Sequence, residues 1–430
     1  MLQYPKTLKD YNGETKDMAF YKTFDNGLRL VVKKIDGLLS VTAGIMVKTG
    51  SVNEEEFENG ISHYIEHGLF KGTKNRTAFE ISDRIDSIGA QINAFTSKEL
   101  TCYYTKSTSD RLEDSLEVLS DIFFNATFDD AEMKKEKGVI IEEINMCEDT
   151  PEDLLLDILA ESHYGKEGFG RTILGSVKNV SSFTKQDVKR YMDKYYTADN
   201  VVISIAGNVD EKQVLDLIQK YFASHFKKKK AHKQFVTKDT FSNHKYKVKK
   251  IEQTHIGLAM KGMSINDEKV DAFNIASTIL GGGMSSRLFQ TIREEMGLCY
   301  SVYSYPSYYK DTGVLEVYAG VNTDSKKQAF DAIIREIGNM KQHKISMQEF
   351  LRGKEQIRSS LILGQESTSS QMVLYGKKLI FSDKELDFKE RINQIDKVTL
   401  EDVIEVIDAF YTTDDIATAT VGPTRGALKI

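Results

Sequence analysis

The feature that most constrains this chain is that its two halves repeat. Residues 41 to 56 read VTAGIMVKTGSVNEEE, and residues 254 to 269 read THIGLAMKGMSINDEK. Gly44, Ser51 and Asn53 recur as Gly257, Ser264 and Asn266, each 213 positions later. Tyr196-Thr197-Ala198-Asp199 and Gly207 recur as Tyr411-Thr412-Thr413-Asp414 and Gly422, each 215 positions later. Two matches at nearly one offset, half of a 430-residue chain, mark a duplication. The period is far too long for a solenoid, so each half is expected to be a domain, and the length exceeds what one ordinary core supports. The expected limits are a first domain over 1–225, a connection over 226–245 and a second domain over 246–430. The connection opens with FKKKKAHKQ, residues 226 to 234, which is basic, polar and without apolar periodicity.

Each half mixes element types. Leu28 to Lys34 and Val41 to Lys48 alternate as strands do, and Gln91 to Thr96 with Thr101 to Thr105 read as a strand pair. Asp110 to Phe124 and Asp129 to Met146 carry helical periodicity, with Asp129 or Asp130 as N-cap of the second. The fold class expected is α+β, two homologous α/β-sandwich domains. A 40% hydrophobic and 28% charged composition is that of a globular protein. The net charge of −6 argues against nucleic acid as a partner. No apolar run reaches the roughly 18 residues of a membrane span, so no membrane is expected. The start, MLQYPKTLKDYNGE, has no apolar core after its charges, so export by a cleaved signal is not expected. Cys102, Cys147 and Cys299 are scattered and odd in number, which fits reduced thiols and a cytoplasmic location.

Residues 60 to 73, GISHYIEHGLFKGT, contain His63-Tyr64-Ile65-Glu66-His67. On a helix, positions i and i+4 share a face, so His63 and His67 can grip one ion while Glu66 stands beside it. This is the HExxH metal pattern in reversed order. A surface helix with two histidines is the bland alternative. Catalytic zinc takes three protein ligands and leaves one position open, so a third must come from elsewhere. Residues 136 to 157, EKGVIIEEINMCEDTPEDLLLD, offer Glu136 and Glu143, seven apart and on one helical face, with Val139 and Ile140 packing beside them. An acidic solvated face is the alternative there. In the second half, positions 215 beyond His63, Glu66 and His67 hold Thr278, Gly281 and Gly282, none a strong zinc ligand. One zinc per chain follows. Gly281-Gly282-Gly283 lacks the lysine of a phosphate loop and is expected to be a mobile turn beside the substrate.

HYIEHGLFKGT followed by Glu143 resembles the pitrilysin/insulinase family of zinc metallopeptidases. The nearest branch is that of the mitochondrial processing peptidase β subunit and its small bacterial homologues. NGLRLVV, NAFTSKELTCYY (93–104), GRTILGS (170–176) and GGGMSSRLFQTIREEMGLCYSVYS (281–304) also look like family blocks, so the likeness spans nearly the whole chain. One departure is Gly68, where the family usually carries a larger apolar residue such as Met; it is expected to loosen the helix without removing a ligand.

The resemblance implies that His63, His67 and Glu143 bind Zn2+, that Glu66 is the general base, and that Glu136 is a supporting acidic residue. Asn93, Ala94 and Phe95 would pair with substrate backbone. Arg293 and Tyr300 would reach across to the substrate from the second half. Asp153 and Asp157, one turn apart beyond Pro151, match acidic positions that bind the arginine before the cut in the processing branch. A carboxylate pair so spaced suits a guanidinium, although a solvated acidic helix face reads the same way. The implied activity is that of a zinc-dependent endopeptidase acting on extended peptides or presequence-like segments inside a closed chamber. Family chambers hold four such domains and this chain has two, which implies a homodimer or a heterodimer with a related chain. The alternative is a catalytically silent or scaffold partner subunit of a processing peptidase-like complex.

Overall fold

A computed structural model describes residues 19–226 and 239–429. The first half supplies β1 (Phe20–Thr23), β2 (Arg29–Lys34), β3 (Ser40–Val47), α1 (Ile61–Leu69), α2 (Ala78–Ser87), β4 (Gln91–Thr96), β5 (Thr101–Thr108), α3 (Leu112–Asn125), α4 (Asp130–Asp149), α5 (Pro151–Tyr164), α6 (Val177–Ser182), α7 (Lys185–Tyr195), β6 (Val201–Gly207) and α8 (Glu211–Ile218). The second half supplies β7 (His244–Val248), β8 (Gln253–Lys261), α9 (Val270–Gly281), β9 (Cys299–Tyr308), β10 (Gly313–Asn322), α10 (Lys326–Gln342), α11 (Met347–Leu363), α12 (Thr368–Ser382), α13 (Phe388–Lys397), α14 (Leu400–Phe410) and β11 (Ala417–Gly422). Of the expected connection, residues 227–238 lie outside the described residues, while His244 and Lys245 already belong to β7.

The duplication is written into the sheets. The first runs β1-β2-β6-β3-β5-β4 and the second β7-β11-β8-β10-β9. Apart from β1 the orders are the same, with β2 parallel to β6 as β7 is to β11. Each sheet has its own apolar core against its own helices. Leu30, Ile45, Leu116 and Ile203 belong to one; Leu258, Phe273, Val317 and Ile333 belong to the other.

The opposite face of each sheet is covered by a helix from the other half. α12 lies on β2, β3 and β6, packing Met372 and Tyr375 against Met46, Cys102 and Val202. α5 lies on β8 and β11, packing Leu155 and Leu159 against Ala259, Ala419 and Val421. A fully buried leucine such as Leu155 stabilises the join by about 1.5–3 kcal/mol. The repeated glycines Gly44 and Gly257 stand where these exchanged helices press down. A Cβ on Gly44 would lie 2.5 Å from Met372 Sδ, and one on Gly257 would lie 3.1 Å from Leu159 Cδ2.

Candidate metal centre

The metal helix is short and its start is held by a carboxylate from the turn ahead of it. Buried Glu54 accepts the N–H groups of Gly60 (2.7 Å) and Ser62 (2.9 Å) and the Asn59 side chain (3.0 Å), doing for α1 what a capping side chain normally does. Burial pushes its pKa up and these donors oppose the shift. The Ser62 hydroxyl is anchored to Tyr191 at 2.9 Å. α1 therefore enters the core in one orientation, burying Ile61, Tyr64, Ile65 and Leu69 and turning His63 and His67 toward α4.

α4 begins where expected, with Asp129 accepting the N–H groups of Ala131 and Glu132. Its inward line is Met133, Glu136, Ile140 and Ile144. Val139 was expected on that line and is 52% exposed; it falls off the three-and-four spacing of the buried residues. Glu143 comes to the histidines: its Oε2 is 3.5 Å from Nε2 of both His63 and His67. One ligand atom from each residue lies within 4.8 Å of the others. Tetrahedral ligands set about 2.0–2.1 Å from a zinc ion lie about 3.3 Å apart, so these donors fit the ion with little movement.

Glu136 sits behind the cluster. It accepts from His67 Nδ1 at 2.6 Å and pairs with Lys71 at 2.7 Å. A carboxylate on the far nitrogen fixes the tautomer that leaves Nε2 free for metal. Burial would raise Glu136, but the His67 and Lys71 hydrogen bonds win and hold it below the usual carboxylate range. In His67, burial opposes the charged form, yet hydrogen bonds to Glu136 and Glu143 lift the imidazole to about 9. Burial, then the neighbouring His67, push His63 down to about 4. Glu66 accepts a hydrogen bond from the Thr96 hydroxyl, and burial raises its pKa above the ordinary value.

Gly68 does not loosen α1. The Phe128 ring occupies the space a side chain would take: a Cβ there would lie 2.4 Å from Phe128 Cε1. Phe128 holds a left-handed φ of 47° to reach that place, an uncommon conformation for a bulky residue.

Residues 30–177 match the family described as insulinase (peptidase family M16), and residues 182–357 match its inactive domain. An uncharacterized zinc protease of Bacillus subtilis, YmxG, is 41% identical over 402 residues, covering 93% of this chain and 97% of that one. This chain belongs to the insulinase (peptidase M16) family. An uncharacterized zinc protease of Rickettsia felis is 35% identical, covering 93% and 96% of the two chains. The fold is that of a Helicobacter pylori protease (TM-score 0.86, 23% identity, 94% and 99% covered). It is also that of a Pseudomonas fluorescens peptidase M16 inactive domain (TM-score 0.88, 19% identity, 95% and 99% covered). The likeness to zinc proteases makes this an M16 protein of the peptidase type, with two domains of one fold.

The family's remaining positions fall in several places. Asn93, Ala94 and Phe95 lie on β4, the end strand of the first sheet, whose outer edge pairs with no strand among the described residues. Arg293 sits in a π-helical turn, Phe289–Glu295, with its guanidinium over the rings of Phe289 (4.7 Å) and Tyr300 (4.8 Å). Tyr300 is 78% exposed. The structure brings these two together, and neither bonds to the metal cluster among the described residues. Of the expected turn, Gly281 is the last residue of α9, packed against β9 where a Cβ would lie 2.3 Å from the Ser304 nitrogen, and Gly282 and Gly283 follow in the bend after the helix.

Pro151 does open α5. Asp153 is exposed, whereas Asp157 is half-buried beside the Cys147 thiol, at 3.8 Å. Burial raises Asp157, and the nearby Lys98 ammonium opposes that shift. The two carboxylates are thus unequal, and one already has a cation in reach. Three contributors were not read from the sequence: Glu54, Thr96 and Lys71. Thr96 and Lys71 act through contacts with residues far off in the chain, Glu54 caps the helix from the loop before it, and none stands in a recognisable pattern with the histidines.

Proposed function

We propose that this chain is a zinc-dependent endopeptidase in which His63, His67 and Glu143 hold the metal and Glu66 is the general base. One observation carries the reading. The Thr96 hydroxyl on the free-edged strand β4 bonds to Glu66 on the metal helix. A peptide that added itself to β4 by backbone hydrogen bonds would lie beside the base and the ligands. Bound zinc supplies a water of lowered pKa and polarisation of the scissile carbonyl. Glu66, raised by burial, takes the proton of the attacking water and passes it to the leaving amine. Glu136 and Lys71 keep His67 in its ligating tautomer. Backbone pairing along Asn93–Ala94–Phe95 orients the substrate with little demand on its side chains. The family's four-domain chamber supports a dimer for this two-domain chain, homodimeric or with a related partner. Three free cysteines, and no helix among the described residues long and apolar enough to cross a membrane, accord with a cytoplasmic enzyme. The test is zinc analysis of the purified protein with cleavage of a randomised peptide library. Stoichiometric zinc with no cleavage of any peptide would favour the silent-subunit alternative.

Arg293 and Tyr300 are proposed to hold a substrate carbonyl or the developing oxyanion. Arg293→Ala and Tyr300→Phe are each expected to lower kcat/KM by about 10–100-fold with zinc content unchanged. Wild-type kinetics in both would leave them as a surface cation–π pair.

Asp153 and Asp157 are proposed to favour a basic residue near the cut. The double change Asp153→Asn, Asp157→Asn is expected to erase a roughly five- to tenfold preference for arginine over alanine two residues before the bond, with zinc retained. A library profile that shows no basic preference, or keeps it in the double variant, would assign Asp157 to balancing Lys98.

A further inference from the structure

The first sheet has one face on the metal helix and the other under α12. The space beside α12 has no part in the chemistry described so far. It is a cleft of about 1070 Å³ between the two halves, walled by Phe95, Tyr104, Met372 and Val373 and reached by Lys377 and Lys378.

Strand alternation ties this cleft to the proposed peptide site. On the β4–β5 ladder, Thr96 is opposite Thr101 and Phe95 is opposite Cys102. Thr96 turns to Glu66, so Phe95 and Cys102 turn to the other face, where they pack with Met372 and Tyr375 of α12. A peptide added to β4 extends each row of the sheet by one residue. The residue opposite Thr96 faces the base and the metal ligands. The residue opposite Phe95 faces the cleft.

Lys377, on α12, lines the same cleft as Phe95. Its ammonium lies near enough to Cys102 to feel the thiol, and burial lowers its pKa. Among the described residues it has no hydrogen bond and no ion pair. Around the cleft Arg391 holds Asp271, Lys269 holds Glu405 and Lys397 pairs with Glu390, while Lys378 and Lys384 also line it and add positive charge beside Lys377. Asp267 and Glu268 come from the loop before α9 and neither pairs with Lys377. A cation partly withdrawn from water without a counter-ion is stabilised by an anion brought to it.

We infer that the cleft is a substrate subsite that takes an aspartate or glutamate side chain at the position pairing with Phe95, with Lys377 as the counter-ion. This rests on the peptidase reading and adds to it a specificity residue contributed by the second domain. The exchange of α12 is what brings that residue to the substrate strand.

The test uses the zinc-loaded full chain and a neutral peptide that the wild type cleaves. Each position around the cut is varied among Ala, Glu, Lys and Leu, and every enzyme is judged on ratios between its own substrates. The wild type is expected to favour Glu over Ala about tenfold at one position. Lys377→Arg should retain that ratio, Lys377→Met should bring it to about one, and Lys377→Glu should turn the preference to Lys. No acidic preference at any position, a preference for Leu at the Phe95-paired position, or a Glu preference that survives both Lys377→Met and Lys377→Glu overturns the assignment. A zinc-loaded wild type that cleaves no peptide at all is a different result, and it removes the peptidase reading together with the subsite.

Discussion

Glu66→Gln is expected to leave zinc binding at the wild-type level while lowering turnover by about 10²–10⁴-fold. Glutamine keeps the size of the side chain and can still accept the Thr96 hydrogen bond that anchors Glu66. It cannot take a proton from water. The α1 backbone and the three donor atoms around the ion are untouched, since Glu66 is absent from the cluster of His63, His67 and Glu143. The measurement pairs metal analysis with single-turnover cleavage, which separates chemistry from product release. Loss of the metal in this variant would make Glu66 a ligand, and full turnover would place the base elsewhere.

Removal of a ligand should act in the opposite order, metal first. His63→Ala, His67→Ala and Glu143→Ala are each expected to abolish stoichiometric zinc and, with it, cleavage, because catalytic zinc is held by three protein ligands. Glu136→Gln should be milder. It keeps a hydrogen-bond acceptor for His67 but gives up the charge that pairs with Lys71 and fixes the imidazole, so zinc affinity should fall by about 10–100-fold. Competition with a chelator of known affinity reads that difference directly. The wild type should also gain thermal stability with added zinc, since an ion bound only by the folded state stabilises it by mass action. The Ala variants should not. An unchanged affinity in Glu136→Gln would reduce that residue to the partner of Lys71.

Much of this was legible in the chain. Helical spacing put His63 and His67 on one face, and the seven-residue interval put Glu136 and Glu143 on another. Both faces depend only on 3.6 residues per turn, a local property. Asp129 as the α4 cap and the β4–β5 pair are local in the same sense. The repeat at 213–215 positions foretold two sheets of one order because a duplicated pattern of strands and helices buries its apolar faces in the same way twice.

Other features could be learned only from packing. That Glu143 faces the histidines while Glu136 stands behind His67 depends on the angle at which α4 meets α1. Sequence spacing left the two glutamates equivalent. Gly68 read as a weak point, and Phe128, sixty residues on, fills the gap. Asp153 and Asp157 looked alike on a helical wheel, but α5 half-buries one beside Cys147 and near Lys98 and leaves the other in water. The repeated Gly44 and Gly257 marked the duplication, and only the fold shows that each makes room for a helix of the other half. Periodicity along the chain determined which residues share a face. Which faces meet was decided by burial of apolar surface between distant segments, and that put Glu54 against the start of α1, Thr96 beside Glu66 and Lys377 in the cleft that Phe95 lines.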